Sequence, residues 1–430
     1  MLAILITLDC VRADHVHDPA VATPSLDAFR REAVTFSRAH AHANTTLPSH
    51  ITMMTGKLMP EHGVVHNLSV PGEGHAFLTE RLAAMGVPCG GFVSVQFMDH
   101  LYASLMGARD RFFDVPRSRI PRALLRRMGL RDARRGAEKT AQHALRWIQR
   151  NASGDAFCWM HLFDTHMDYR APEPWRRHYN VPETSDGEDL AGAVRERGWV
   201  SFHPLEGERR PLEYYPLLYK ASISATDAVL GSFFDSLKRM GLYEDALIVV
   251  TGDHGESLME HDVYCGHALL FDETIRVPLL VKFPGKHHAG DEVRSPVGHR
   301  DLMPTVLRHF GLTHLPERCH DLGSYLGGGQ RNPDRPLFAF HNKMTQACVR
   351  KGSWLYVENL SLDHVPEWQR KLYGRTGLFD HEGRKADAPD VEAGLRDLIH
   401  VYLDQCRCHH DPGTLEEQAI KSHLEDLGYL

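Results

Sequence analysis

LAILITLD, residues Leu2 to Asp9, is an apolar run that ends abruptly at a carboxylate. A short continuous apolar run is typical of a strand buried on both faces, as in parallel sheets. The segment LIVVTGD, from Leu247 to Asp253, repeats this arrangement. Because ligands bind beyond the carboxyl ends of parallel strands, both aspartates lie where a site is expected. The two segments predict a parallel sheet with acidic residues along one edge.

Further apolar runs of strand length alternate with segments of helical periodicity. The predicted strands are Leu2–Leu8, Gly91–Val95, Ala156–Leu162, Ala246–Thr251 and Pro278–Phe283. The predicted helices are Leu26–Phe36, Ala141–Asn151 and Ile223–Met240. Strands that alternate with helices indicate an α/β protein whose mainly parallel central sheet is covered by helices on both faces.

The character of the sequence changes after about residue 330. Ala347–Arg350 and Trp354–Glu358 flank a Lys-Gly-Ser turn and predict a hairpin, and Val391–Asp404 predicts a helix. We therefore expect a catalytic domain over residues 1–330 and a small C-terminal α+β subdomain over residues 331–430. Residues 170–211 are polar, rich in Pro and Gly and weakly periodic, which predicts an insertion or lid within the first domain.

The overall composition restricts the class of protein. Hydrophobic residues make up 42% and charged residues 24%, as in soluble globular proteins. A net charge of −7 argues against a generic nucleic-acid binder. No apolar run approaches the ~18 residues that span a bilayer. The apolar N-terminal run is short and has no basic segment before it, so a cytoplasmic location is expected.

Two segments each allow two interpretations. Arg109 to Arg135 is rich in arginine with interleaved apolar residues, which fits a solvated amphipathic face or a lid that recruits anions. Cys406 to His410 could form a metal clip, but the eight cysteines offer no second pair at zinc-finger spacing.

The stretch HANTTLPSHITMMTG, His42 to Gly56, predicts a short helix. Pro48 falls in its first turn and Gly56 ends it. Thr45 and Thr46 then lie at the N-terminus, where free backbone N–H groups and the helix dipole favour an anion. One interpretation makes either threonine an N-cap, and the other makes one of them a nucleophile in an anion site.

Asp9 and the Asp253-His254 pair supply two carboxylates and one imidazole from the ends of two predicted strands. With a threonine hydroxyl from the short helix, they form a coherent ligand set for one divalent cation. A threonine hydroxyl is a poor nucleophile at neutral pH, and coordination to a metal is one way to activate it. The metal therefore gives a reason for a threonine at that helix start.

The chain resembles the sulfatase branch of the alkaline phosphatase superfamily in an ordered series of blocks. These are LDCVRAD (Leu8–Asp14), ATPSLDAFRREAVTFSRAHA (Ala22–Ala41), TLPSHITMMTG (Thr46–Gly56), HLFDTHMDY (His161–Tyr169), TGDHGESLMEHDVYCGHALLFDETIRVPLLVKFPG (Thr251–Gly285), GHRDLMPTVL (Gly298–Leu307) and LEDLGYL (Leu424–Leu430). The resemblance implies an alkaline phosphatase-like α/β fold with a small C-terminal subdomain.

The resemblance also assigns roles to individual residues. The implied metal ligands are Asp9, Thr46, Asp253 and His254. Thr46 falls on the nucleophile position, the first residue of the family's Cys/Ser-x-Pro-Ser-Arg motif. The implied substrate-binding residues are His50, His166 and His267, of which the last two also hold the anionic oxygens and protonate the leaving group.

This sequence departs from the family pattern at several of these positions. Thr46 cannot be oxidised to formylglycine, unlike a Cys or Ser. His50 replaces the motif's arginine, and Cys10 replaces the second residue of an Asp-Asp pair. The usual Asp-Asn metal pair is Asp253-His254, and its imidazole favours manganese or zinc over calcium.

The threonine indicates which ester is cleaved. A formylglycine hydrate can expel sulfate by collapsing to the aldehyde, whereas a threonine ester requires attack at its central atom. We therefore expect a metal-dependent hydrolase that cleaves phosphodiester or phosphonate monoester bonds through a covalent Thr46 intermediate. One convincing metal site favours a monoanionic, small anionic ester as substrate, because Asp164 is followed at the expected histidine position by Asp168.

Three alternatives remain open from the sequence. They are a sulfatase that works without formylglycine, a transferase that passes the phosphoryl group to an alcohol, and a binding protein without catalysis. The sequence is compatible with a homo-oligomer.

Overall fold

An eight-stranded sheet forms the centre of the computed structural model, which describes residues 1–67, 69, 74–95, 111–114, 134–183, 187–201, 205–313, 315–316, 318–327 and 332–407. Its strands lie in the order β11-β2-β10-β8-β1-β6-β4-β5. The strands of the described chain are β1 (Leu2–Leu8), β2 (Val34–Phe36), β3 (Ala39–His40), β4 (Cys89–Val93), β5 (Arg111–Asp114), β6 (Ala156–Leu162), β7 (Val200–Ser201), β8 (Leu247–Gly252), β9 (Val263–Tyr264), β10 (Leu279–Lys282), β11 (Glu292–Val293), β12 (Val297–Gly298), β13 (Leu337–Phe340), β14 (Gln346–Lys351), β15 (Trp354–Asn359) and β16 (Gly377–Phe379).

The helices lie between and around these strands. The α-helices are Ala13–His17, Pro24–Glu32, Thr46–Thr55, Met59–His62, Leu78–Ala84, Ala137–Asn151, Glu173–His178, Leu190–Glu196, Tyr214–Arg239, Asp272–Ile275, Leu302–His309, Glu367–Arg370 and Pro389–Arg407. Single-turn 3-10 helices are Glu260–Asp262, Pro284–Lys286, His299–Asp301, Leu322–Tyr325, Asn342–Met344 and Leu372–Gly374. Among these described segments, no helix has both the length and the apolar character that a bilayer crossing requires.

The first strand lies in the middle of the sheet and is buried on both faces. β1 pairs in parallel with β6 on one side and with β8 on the other, and β10 adds an antiparallel strand beyond β8. Ile4 and Ile6 pack with the helices Ala137–Asn151 and Tyr214–Arg239, whereas Leu5 packs on the opposite face. That face is covered by the helices Thr46–Thr55 and Leu302–His309. The fold is therefore the predicted α/β arrangement, with a mainly parallel sheet between two helical layers.

The sequence pattern located the five predicted strands closely, but it missed β2, β5 and β11 of the same sheet. Two helices were placed imprecisely, and the one predicted from Ile223 begins at Tyr214. β1 and β6 have the predicted bounds, and β4 starts two residues before the predicted strand. The predicted helix Leu26–Phe36 is wrong at its end, because the helix stops at Glu32 and residues 34–36 form β2. The β-branched Val34 and Thr35 pair with β10, so tertiary pairing overrides the helical periodicity.

The C-terminal part contains the predicted hairpin. β14 and β15 are antiparallel with Lys351 opposite Trp354, and Gly352 in the turn has φ +59°. β13 and β16 complete a four-stranded antiparallel sheet, on which the helix Pro389–Arg407 packs. Phe340 of this sheet bridges to Ala43, near the start of the Thr46–Thr55 helix. The small subdomain is thus confirmed, and its boundary at residue 330 stays a prediction.

The predicted insertion, residues 170–211, contains two short helices and β7 in its described part. β7 pairs with β9, which ties the insertion to the segment after β8. Most of Arg109–Arg135, His410 and the block Leu424–Leu430 lie outside the described residues, so the interpretations given for them stay untested.

Candidate active site

The carboxyl ends of β1 and β8 bring the two predicted aspartates together. Leu8 lies opposite Gly252 in the parallel register, so the next residues, Asp9 and Asp253, leave the sheet at the same edge. The Asp253 N–H donates to the Leu8 carbonyl at 3.1 Å, which fixes this crossing. One ligand atom each from Asp9, Asp253 and His254 lies within 4.8 Å of the others, and all three side chains are fully buried.

Asp253 has one satisfied carboxylate oxygen and one orphaned oxygen. Oδ1 accepts from the backbone N–H groups of Cys10 at 3.0 Å and of His254 at 2.8 Å. Oδ2 is buried and has no hydrogen-bond partner among the described residues. A buried carboxylate oxygen without a donor is costly unless a cation contacts it. The orphaned oxygen therefore fits a bound divalent ion.

The pKa values of the cluster residues also fit a bound cation. Burial, followed by repulsion from Asp9, raises the pKa of Asp253 to about 7, and burial raises the pKa of Asp9 to about 6. Both shifts reflect two buried carboxylates without an adjacent permanent cation. Burial lowers the pKa of His254 to about 4, so its imidazole is neutral at physiological pH, as metal coordination requires.

His254 is oriented by a hydrogen bond of the kind that holds metal-ligating histidines. Its Nδ1 lies 2.9 Å from the carbonyl oxygen of Gly255, so Nδ1 carries the proton and donates. Nε2 is then the atom with a free lone pair. It lies 3.4 Å from the Thr46 hydroxyl and 3.7 Å from an Asp253 oxygen.

Thr46 is the first residue of its helix, which ends at Gly56 in the left-handed conformation with φ +70°. Ser49, one turn on, donates from its hydroxyl to the Asp253 carbonyl at 2.6 Å. This bond holds the helix start against the Asp253 turn, and it accounts for the serine in the motif. The structure thus brings Thr46 to the same place as the two aspartates and His254.

Thr45 has a different environment. It occupies the N-cap position, but its side chain makes no capping hydrogen bond to the helix. It lines a cavity of about 210 Å³ that lies beside His267. Of the two threonines, only Thr46 therefore points its hydroxyl at the ligand cluster.

His267 is partly exposed at the edge of the cluster. Its Nδ1 lies 3.7 Å from a carboxylate oxygen of Glu256, which is buried. Burial alone would lower the pKa of His267, but the nearby Glu256 carboxylate outweighs it and raises that pKa. A protonated His267 can hold an anionic oxygen or deliver a proton to a leaving group.

The predicted site residues His166 and His50 differ in their burial and in their distance from the ligand cluster. His166 is partly buried, stacks on Phe163 and has a ring nitrogen within 4.8 Å of ligand atoms of Asp9 and Cys10. His50 is fully buried, with Nδ1 2.7 Å from the Thr46 carbonyl oxygen and Nε2 3.0 Å from the Thr7 hydroxyl. Its substrate-binding role stays a prediction, whereas its contacts join the helix Thr46–Thr55 to β1.

Two side chains of the cluster had not been assigned a role from the sequence. His161 lies within β6, and its Nε2 is 3.0 Å from an Asp9 carboxylate oxygen. The Cys10 thiol donates to the other Asp9 oxygen at 3.0 Å, from a residue with φ +58°. His161 is a histidine inside an apolar strand next to a strand that ends in Asp9, and that pattern was the available signal.

Comparison with known proteins places the chain among homologues. A family model described as Sulfatase matches residues 2–312. The chain belongs to the sulfatase family. Family membership makes it a homologue of ester hydrolases.

Two curated sulfatase-family relatives and one solved structure define the similarity. An ulvan-active sulfatase of Formosa agariphila is 24% identical over 333 residues, 74% of this chain and 62% of that protein. A multifunctional alkaline phosphatase superfamily protein of Trinickia caryophylli is 24% identical over 388 residues, 74% of each chain. The phosphonate monoester hydrolase from Silicibacter pomeroyi superposes with a TM-score of 0.70 at 21% identity, over 96% of each chain.

The superposition confirms the alkaline phosphatase-like fold. The chain spans less than two thirds of the ulvan-active sulfatase's length. The geometry of the cluster is therefore the basis for assigning the site residues and the substrate of this sulfatase-family member.

Proposed function

We propose that this sulfatase-family member is a metal-dependent hydrolase that cleaves phosphodiester or phosphonate monoester bonds through Thr46. The observation that carries the proposal is the Thr46 hydroxyl, 3.4 Å from the free nitrogen of His254 at the start of a helix. That position combines a nucleophile, a neutral ligand nitrogen and the anion-favouring end of a helix.

Asp9, Asp253, His254 and the Thr46 hydroxyl would hold one divalent ion. When bound, the ion lowers the pKa of the hydroxyl and offsets charge on the phosphoryl oxygens. The mixture of carboxylate oxygens and imidazole nitrogen favours manganese or zinc over calcium. Every group of three ligand-type side chains in the described residues includes Asp9, Asp253 or His254, which supports one shared centre.

The reaction has two steps on this chain's residues. The Thr46 hydroxyl first loses its proton to solvent. The Thr46 oxygen anion then attacks phosphorus as the bond to the leaving alcohol breaks, and protonated His267 donates its proton to the departing oxygen. Water then attacks the phosphothreonine, giving its proton to the now neutral His267 and releasing Thr46. The Glu256 carboxylate beside it raises the pKa of His267, which favours the protonated form that the first step needs.

Thr46 supports phosphoryl rather than sulfuryl transfer. A sulfothreonine cannot release sulfate by the aldehyde route, so water would have to attack sulfur. A phosphothreonine can be cleaved at phosphorus by the water step described above. Sulfate esters and transfer to an alcohol acceptor are the competing activities.

The nucleophile is tested with three variants and one trapping experiment. Thr46→Ala should abolish turnover with the fold intact, since losing a helix-start hydroxyl costs only ~1 kcal/mol. Thr46→Ser keeps the hydroxyl and should retain measurable activity. Thr45→Ala is the matched control, because Thr45 faces the neighbouring cavity, and it should lose little. Rapid quench with a slow substrate should add mass to the peptide that contains Thr46.

An active Thr46→Ala enzyme together with a dead Thr45→Ala enzyme would move the nucleophile by one residue. Turnover of aryl phosphodiester, phosphonate monoester, phosphate monoester and sulfate ester should be compared with added manganese or zinc. A sulfate ester as the best substrate by a wide margin would overturn the choice of phosphoryl chemistry. A product formed with an added alcohol in place of water would identify a transferase.

A further inference from the structure

The cavity beside His267 is formed jointly by the catalytic centre and the C-terminal part of the chain. Its lining consists of Thr45, His267 and Ala268 near the catalytic cluster and nine residues from the C-terminal part of the chain. The nine are His341, Asn342, Lys343, Thr345, His364, Val365, Pro366, Gln369 and Tyr373. Because the general acid His267 is in the wall, the group that leaves the phosphorus must lie in or next to this cavity.

The lining contains no carboxylate. It offers one permanent cation, Lys343, together with three imidazoles and several neutral polar groups. Lys343 is exposed and forms no ion pair among the residues that the structure describes. The pKa of His364 is lowered by its partial burial and then by the charge of Lys343, so the two side chains lie near each other. An anion in the cavity would be attracted by the Lys343 ammonium.

The backbone holds Lys343 in a fixed place. Lys343 adopts φ +54° and ψ +27°, a left-handed conformation that is uncommon for a residue with a side chain. Its N–H donates to the Val65 carbonyl oxygen at 2.7 Å. Thr345 donates its hydroxyl proton to the Asn342 carbonyl oxygen at 2.7 Å, so it accepts from His364 Nε2 at 2.8 Å. Both the lysine and the histidine are therefore anchored at the cavity wall.

We infer that this cavity is a leaving-group subsite that selects esters whose leaving group carries its own negative charge, with Lys343 as the recognising residue. The inference rests on the proposed function of the metal centre. A volume of about 210 Å³ is below the usual range of drug-sized ligand pockets, so it suits a compact leaving group such as a small hydroxy acid. The substrate class is then a dianionic ester, with one charge at phosphorus and one on the alcohol.

The test compares phenyl and 4-carboxyphenyl esters of the same methylphosphonate. In the wild-type enzyme, kcat/KM should favour the carboxyphenyl ester by about fivefold, the size of one partly exposed ion pair. Lys343→Gln should remove this preference, Lys343→Arg should keep it, and Lys343→Glu should reverse it. Lys351→Gln removes an exposed lysine outside the cavity and should leave the ratio unchanged. The preference should also shrink at high salt, because the pair is screened.

Two kinds of failure are separable. If neither ester is turned over, the proposed hydrolase function itself is wrong. If both are turned over and Lys343→Gln leaves the ratio at its wild-type value, the subsite assignment is wrong while the hydrolase function stands. A wild-type preference for the uncharged phenyl ester also overturns the inference.

Discussion

The carboxylate pair at the metal centre makes the stability of the metal-free protein depend on pH. Burial raises the pKa of Asp253 from its ordinary 3.8 to about 7, so the folded metal-free protein keeps a proton that the unfolded chain releases near pH 4. Below about pH 4 the Asp253 carboxyl is protonated in the folded and the unfolded state, and it does not lower the free energy of unfolding. As the pH rises towards 7, only the unfolded chain releases the proton, and the free energy of unfolding falls. At about 1.4 kcal/mol per pKa unit, the loss by pH 7 is ~4 kcal/mol. Asp9, with a pKa raised to about 6 by burial, acts in the same direction.

The variant Asp253→Asn tests this reasoning. After chelation, the variant should be more stable than wild type by ~2–4 kcal/mol at pH 7 and equally stable near pH 4, since an amide carries no charge to bury. Urea unfolding, monitored by circular dichroism between pH 4 and 8, measures the difference in the free energy of unfolding. The histidines that also titrate in this range are the same in both proteins, so their contributions cancel. Manganese or zinc should stabilise wild type and leave the variant unchanged.

Asp397→Asn, on the exposed side of the C-terminal helix, is the matched control and should show no pH-dependent difference. If metal-free Asp253→Asn is instead less stable than wild type at pH 7, the carboxylate is satisfied by the protein alone. That result would refute the inference that a cation contacts the second carboxylate oxygen of Asp253.

Four further predictions concern the proposed metal centre and the residues around it. Asp9→Ala should lose bound metal and activity together, and full metal occupancy by elemental analysis would contradict its role as a ligand. His267→Ala should lower the rate ~10²-fold, and less for nitrophenyl esters, because a good leaving group needs no proton. Glu256→Gln lowers the pKa of His267, so the alkaline limb of the pH–rate profile should move to lower pH; an unmoved limb would count against acid catalysis by His267. Gly255→Ala should strongly destabilise the fold in thermal unfolding, since its Cβ would lie 2.0 Å from the Glu273 carbonyl oxygen; a wild-type melting temperature would refute this.

The parts of the structure that follow from local pattern were predictable from the sequence. β1 and β6 have the predicted bounds because strands buried on both faces must be apolar throughout. Their ends also located Asp9 correctly, since parallel strands finish at one edge of the sheet. The alternation of strands and helices was sufficient to predict a sheet between two helical layers. The bounds of β1 and β6 could be predicted without knowing which strands pair with them.

The parts that depend on pairing across the chain were not predictable in this way. The end of the helix Pro24–Glu32 was missed because β2 forms through pairing with β10 and β11, which lie far away in the sequence. The local pattern alone could not separate Thr45 from Thr46, and only the family resemblance favoured Thr46. The difference depends on how the helix start packs against the Asp253-His254 turn. The cavity beside His267 joins residues 328 positions apart, from Thr45 to Tyr373, and no local pattern predicts such a juxtaposition.

The two sources of the cavity wall have an evolutionary consequence. The cluster residues to which we assign the chemistry all precede residue 270, whereas most of the cavity wall comes from residues 341–373. Gene duplicates could therefore diverge in the later segment and change which alcohol is accepted, while the reacting groups remain untouched. The Phe340–Ala43 bridge keeps the two segments aligned, so such divergence is expected at side chains facing the cavity and not in the strands beneath them.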